Sequence, residues 1–110
     1  MTATHDPAHG DKIFVTVDSD LEDLIPGFLE NRNRDIKAIF DALARDDYAA
    51  AAKLGHTMKG VGGGYGFDAI TDIGRSIEQA AKDKNPQKIE AALSKLSDYL
   101  ERVEIVFESS

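Results

Sequence analysis

Cysteine is absent from this 110-residue sequence, which removes a disulfide framework, a thiolate zinc site and a thiol nucleophile together. A reducing cytoplasm suits that composition, and cytoplasmic is the expected location. Proline is scarce, and Thr and Val are few beside abundant Ala, so helices are favoured over strands except around Ile13 to Val17. Met1 to Gly10 has neither a basic n-region nor an apolar h-region, so no targeting leader is expected. No apolar run approaches the ~18 residues of a membrane span. Positive charge is also short: 13 Lys and Arg against 20 Asp and Glu leave a formal net charge of -7. Such a chain has no general electrostatic grip on nucleic acid or anionic lipid, and any basic patch must be local.

What is present is enough apolar content, 42%, for one core in one domain. We expect a mobile polar tail over residues 1–12 and a single domain over 13–110. His5 and His9 in the tail have a spacing that can touch a metal, against the plainer reading of a polar leader. The run Ile13-Phe14-Val15-Thr16-Val17 is strand-like in composition, but no second strand is expected to pair with it, so it should lie extended against the helices. Ser19 and Glu22 have the spacing of a capping box. A helix should begin there, break or kink near Ile25 because of Pro26, and continue to about Arg45.

A second helix should start at Asp46-Asp47 and run to about Tyr65, burying Ala51, Leu54, Met58, Val61 and Tyr65. Gly66 offers a stop and Asp68 a cap for a third helix to about Asp83, with Ile70, Ile73, Ile77 and Ala81 inward. Asn85-Pro86 reads as cap and first helical position of a fourth. Its apolar residues Ile89, Leu93, Leu96, Leu100, Val103 and Phe107 keep helical spacing to the end. Short links favour antiparallel neighbours, so the expected fold is all-α, an up-down four-helix bundle with a short N-terminal segment, monomeric by default.

One stretch is not explained by packing. At about 100 degrees per residue, the stripe through Leu54, Met58 and Val61 points away from His56, which should therefore face solvent. Its helical neighbours are Ala49 and Ala52 on one side and Gly60, Gly63 and Gly64 on the other. Gly55 and Gly62 add to the count, and each interior glycine costs roughly 1 kcal/mol relative to Ala. A surface so bare permits close approach by another protein. Lys53 and Lys59, three residues either side, place two cations beside the imidazole.

His56-Thr57-Met58-Lys59-Gly60, then Val61-Gly62-Gly63-Gly64-Tyr65-Gly66-Phe67, then Ile77-Glu78-Gln79-Ala80-Ala81, resembles the signature of histidine-containing phosphotransfer domains over about residues 19–107. The resemblance implies that His56 accepts a phosphoryl group, that Lys59 neutralises its oxygens and that Gly60 keeps the approach open. It also implies that Glu78 orients the imidazole through Nδ1 and leaves Nε2 as nucleophile. Ala52, Lys53, Gly60, Gly63, Gly64 and Arg75 would then form the docking surface. The partners implied are receiver domains, which bring the Mg²⁺; the domain itself would bind no metal or cofactor.

Plainer readings exist beside these. His56 can be an ordinary surface histidine and Lys59 a solubilising residue; Glu78 can pair with Arg75 or Lys82, and the glycine run can be a loop that ends the helix near Val61. Nucleotide binding fails because no strand precedes the glycines and no Gly-Lys-Ser/Thr follows. A metal enzyme lacks a second ligand near His56. In a sensor-kinase dimerisation domain an acidic residue follows the histidine, where this chain has Thr57. The competing class is a docking bundle that binds a receiver or another signalling protein without being phosphorylated.

Overall fold

Three of the links between helices are built by one backbone device. After the first, second and third helical stretches, a residue with positive φ breaks the helical run: Asp46 at 55°, Gly66 at 90° and Lys84 at 53°. In each case the next residue's N–H reaches back five positions, Asp47 to Ala42, Phe67 to Gly62 and Asn85 to Ala80, at 2.8 to 2.9 Å. These bonds satisfy carbonyls that a helix end otherwise leaves open. Twice the link runs straight into a cap: the Asp47 carboxylate accepts from Ala50 N–H at 3.0 Å, and the Asn85 side chain accepts from Lys88 N–H at 3.1 Å. Phe67 makes no such cap, and Asp68 lies inside the first turn instead of capping it.

The computed structural model describes residues 11–109, and the expectations for residues 1–10, His5 and His9 included, lie outside the described residues. Strand β1 spans Ile13–Asp18 and leads into a short 3-10 helix, Ser19–Leu24. Helices α1, Ile25–Ala44, and α2, Tyr48–Gly62, follow. A 3-10 turn, Gly63–Tyr65, extends α2. Helices α3, Asp68–Lys82, and α4, Pro86–Arg102, come next, and strand β2, Val103–Glu108, ends the order. Pro26 occupies the first turn of α1, where its missing N–H costs no hydrogen bond. The cap at the start of the 3-10 helix is Asp18, which accepts from Asp20 N–H at 2.9 Å, in place of Ser19.

Two expectations are corrected together. The fold is mostly helical but not all-α, because β1 and β2 pair in parallel, Ile13 beside Val103 through Asp18 beside Glu108. Accordingly α4 stops at Arg102, and Val103 turns extended with ψ 133°. The residues Val103, Ile105 and Phe107 also alternate at period two, and their β-branched neighbours suit an extended chain once β1 presents unpaired backbone groups. Parallel strands need a long crossover, and here all four helices supply it. Lys12 pairs with Glu104 at 2.8 Å, and Arg102 Nε donates to the Asp11 carbonyl at 2.7 Å, so the residues before β1 are tied to those where α4 passes into β2.

The core lies among the helices, with Ile39, Met58, Phe67, Ile70, Ile77 and Leu96 fully enclosed. Phe67, expected only to precede a cap, is buried and stacks on Phe28 with centroids 5.1 Å apart. Among the described residues no helix is long and apolar enough to cross a membrane.

Ile39→Ala should lower the free energy of unfolding by about 2–5 kcal/mol, and Asn85→Ala by about 1 kcal/mol through loss of the cap. Urea unfolding monitored by far-ultraviolet circular dichroism reads both, and the order of the two effects tests the burial of Ile39.

Candidate functional site

Helix α2 carries two kinds of glycine, a distinction invisible in the sequence. Gly55 and Gly62 are buried, together with Gly74 of α3, in the contact between the two helices. At Gly62 an added Cβ would stand 2.7 Å from both the backbone nitrogen and the hydroxyl of Thr71. These positions are therefore part of the packing and correct the expectation that Gly55 and Gly62 belong to the bare surface. Gly60 and Gly64 are the opposite case: a Cβ there would meet nothing within 4 Å, and at Gly63 only Thr71 Oγ1 at 3.6 Å. All three are exposed on the C-terminal side of His56, Gly60 in α2 and Gly63 and Gly64 in the 3-10 turn that extends it. The α-helix ends at Gly62, close to Val61 and short of the expected limit at Tyr65, and Gly63 to Tyr65 continue it as a 3-10 turn in place of a loop.

His56 stands on this surface with its side chain 66% exposed. Across the α2–α3 contact, Glu78 is only 13% exposed and accepts from three donors. His56 Nδ1 lies 3.0 Å from Oε2, Lys59 Nζ 2.9 Å from Oε1, and Lys82 Nζ 3.3 Å from Oε2. The hydrogen bond from Lys59 holds the Glu78 pKa down to about 2, against the opposing effect of burial and with further help from Lys82 and His56. A carboxylate that is ionised has no proton to give, so Nδ1 must carry the hydrogen of this contact. In the neutral ring Nε2 is then the free nitrogen, on the side of the imidazole turned from Glu78.

The other residues singled out by sequence divide. Ala52 is half-buried and Lys53 exposed, one turn before His56. Arg75 is exposed but donates to Asp72 Oδ1 at 2.9 Å and borders the groove between α3 and α4, apart from the imidazole. Lys82 belongs to the site, although sequence reasoning raised it only as a competing ion pair for Glu78. Its one signal was the four-residue spacing from Glu78. Thr71 was not singled out; its hydroxyl donates to the Lys59 carbonyl at 3.1 Å and ties α3 to the turn of α2 that carries the lysine.

Glu78 titrates well below the usual 4.5, so the stabilisation it lends is complete above pH 4.5 and fades as pH falls through about 2. Carbon-detected NMR of the Glu78 carboxyl should show that low midpoint, and Lys59→Met should move it upward. Gly60→Ala, which adds a methyl in open space, should raise stability by up to about 1 kcal/mol through helix propensity alone. Urea unfolding checks the gain.

No curated protein and no solved structure matches the chain. The model of the Hpt domain family matches residues 23–105, well over half of the sequence and all of α2 and α3. With its exposed imidazole, its half-buried carboxylate and that match, the chain belongs to the Hpt domain family, which implies a phosphotransfer role in phosphorelays and interaction with receiver domains of two-component systems.

Proposed function

We propose that this protein is a phosphorelay intermediate in which His56 Nε2 takes a phosphoryl group from a receiver-domain aspartate and passes it to a second receiver. The observation that carries this reading is the contact between His56 Nδ1 and the ionised Glu78 carboxylate, which makes Nε2 the free nitrogen of the neutral ring and leaves that ring exposed. The Nε2 lone pair attacks phosphorus, an N–P bond forms, and the P–O bond to the aspartate breaks with the electron pair leaving on its carboxylate. The ring becomes positively charged while Nδ1 keeps its proton, and Glu78 is placed to stabilise that charge. Reversal is easy for the same reason, since a protonated imidazole is a good leaving group.

Lys59 is held by Glu78 at the edge of this site, where its amine can neutralise phosphoryl oxygens. The receiver contributes the acidic pocket and Mg²⁺, and this domain contributes the nucleophile and a surface left low at Gly60, Gly63 and Gly64. Ala52 and Lys53 extend that docking surface. Arg75 belongs to its edge, because its charge is already paired with Asp72. The setting that fits is cytoplasmic, with the helices arranged up-down and antiparallel as their short links favour.

Incubation of the protein with a phosphorylated receiver should yield a phosphoprotein that is acid-labile, alkali-stable and absent in His56→Gln. Stable complex formation without transfer of label would instead favour a docking module. Glu78→Ala and Lys59→Ala should each slow transfer by roughly tenfold or more, on the order of one charge-assisted hydrogen bond. Gly64→Leu should leave the fold intact and weaken receiver binding, read by titration calorimetry against the unphosphorylated receiver.

A further inference from the structure

The contact that orients His56 spans two helices, so its length depends on how closely α2 and α3 approach. At the point of closest approach both backbones are bare. A Cβ on Gly55 would lie 2.7 Å from Glu78 N and 2.9 Å from Gly74 O, and a Cβ on Gly74 would lie 2.5 Å from Lys59 N and 2.8 Å from Gly55 O. Each glycine thus abuts the backbone of a site residue on the opposite helix. Gly55 is the residue directly before His56 and faces Glu78; Gly74 is one turn before Glu78 and faces Lys59.

We infer that Gly55 and Gly74 are positioning residues for His56, setting the distance at which the Glu78 carboxylate meets Nδ1 and thereby selecting which imidazole nitrogen is free. This rests on the reading of His56 as phosphoryl acceptor and concerns how that acceptor is prepared. The magnitude is telling. Ordinary contact for an added Cβ begins at 3.4 Å, so Ala at position 55 requires a displacement of roughly 0.7 Å at Glu78 N. Added to a 3.0 Å hydrogen bond, that displacement takes Nδ1 and Oε2 outside the usual N–H···O range of about 2.7–3.2 Å. Glu78 cannot simply extend to follow the ring, since Lys59 holds its Oε1 at 2.9 Å and Lys82 shares its Oε2 at 3.3 Å. A shift at Gly74 moves the Lys59 backbone as well, so both anchors of the carboxylate change together.

Gly62 supplies the control, because a Cβ there is equally obstructed, 2.7 Å from Thr71 N and Oγ1 and 2.9 Å from Phe67 O, yet meets no backbone atom of Glu78 or Lys59 and lies six positions beyond His56. Along a helix that is roughly 9 Å. The experiment is long-range proton–nitrogen NMR of the His56 ring in the unphosphorylated protein, with thermal unfolding and transfer from a phosphorylated receiver measured on the same samples. Wild type should show a protonated Nδ1 and a bare Nε2. Gly55→Ala and Gly74→Ala should both show the proton shared between the two nitrogens and transfer slowed about tenfold. Gly62→Ala should lower the unfolding temperature and leave the ring pattern as in wild type.

The inference is overturned if Gly55→Ala and Gly74→Ala fold with the wild-type ring pattern, or if Gly62→Ala alters that pattern as much as they do. It is overturned equally if both site variants fail to fold, because the glycines would then serve the helix pair as a whole, or if wild type itself lacks the Nδ1–H form. A wild-type protein with the expected ring pattern that takes no label from any receiver tested defeats the carrier function and leaves the positioning role standing.

Discussion

An ionised carboxylate that is mostly covered by protein has to be met by donors, and Glu78 is met by three drawn from two helices. Lys82 is on its own helix, one turn on, while Lys59 and His56 cross from α2. The lysines keep the carboxylate charged, the charge puts the proton of the His56 contact on Nδ1, and in the neutral ring the other nitrogen is the free one. Removing either lysine would leave the geometry of the ring contact less constrained, because the same two oxygens serve all three partners. The site is best understood as one acceptor with several claims on it, and the imidazole as the most exposed of them.

Glycine enters this arrangement for two opposite reasons. Buried glycines let α2 and α3 come close enough for the carboxylate to span the gap, and they exchange helix propensity for interhelical contact. The exposed glycines of α2 and of the turn that extends it face open space and relinquish propensity with little return in packing. A helix that accepts both losses is held by its neighbours more than by its own residues, consistent with the Asp47 cap at its start, the Phe67 N–H bound to the Gly62 carbonyl at its end and the Thr71 hydroxyl bound to the Lys59 carbonyl.

Much of the site was legible in the linear order. The angular position of His56 against Leu54, Met58 and Val61 placed it on the surface, and the resemblance carried Lys59 and Glu78. Lys82 and Thr71 were not assigned to the site, because a lysine four residues after a glutamate and a threonine in a helix occur widely, and only the packing of α3 on α2 gives them partners in the site. Glycines 55 and 62 were grouped with 60, 63 and 64 since nothing in a residue's name says whether the space beside it is solvent or another backbone. Arg75 has the reach to pair with Glu78 by spacing alone, yet Asp72 lies at an equivalent spacing on the other side and takes it.

For the fold, sequence by itself determined the four helices, most of their limits and the caps at Asp47 and Asn85, since these follow from apolar periodicity and from side chains that bond to their own neighbouring backbone. Tertiary structure alone decided the small sheet. The segment Val103 to Phe107 satisfies a helical period and a period of two equally well, and the choice depends on whether unpaired backbone groups lie within reach. They do because α4 ends beside β1, a residue separation of about ninety along the chain that no local pattern encodes. The spacing of α2 and α3 is the second such decision: it is a contact between backbones, and side-chain order specifies it only by what it leaves out.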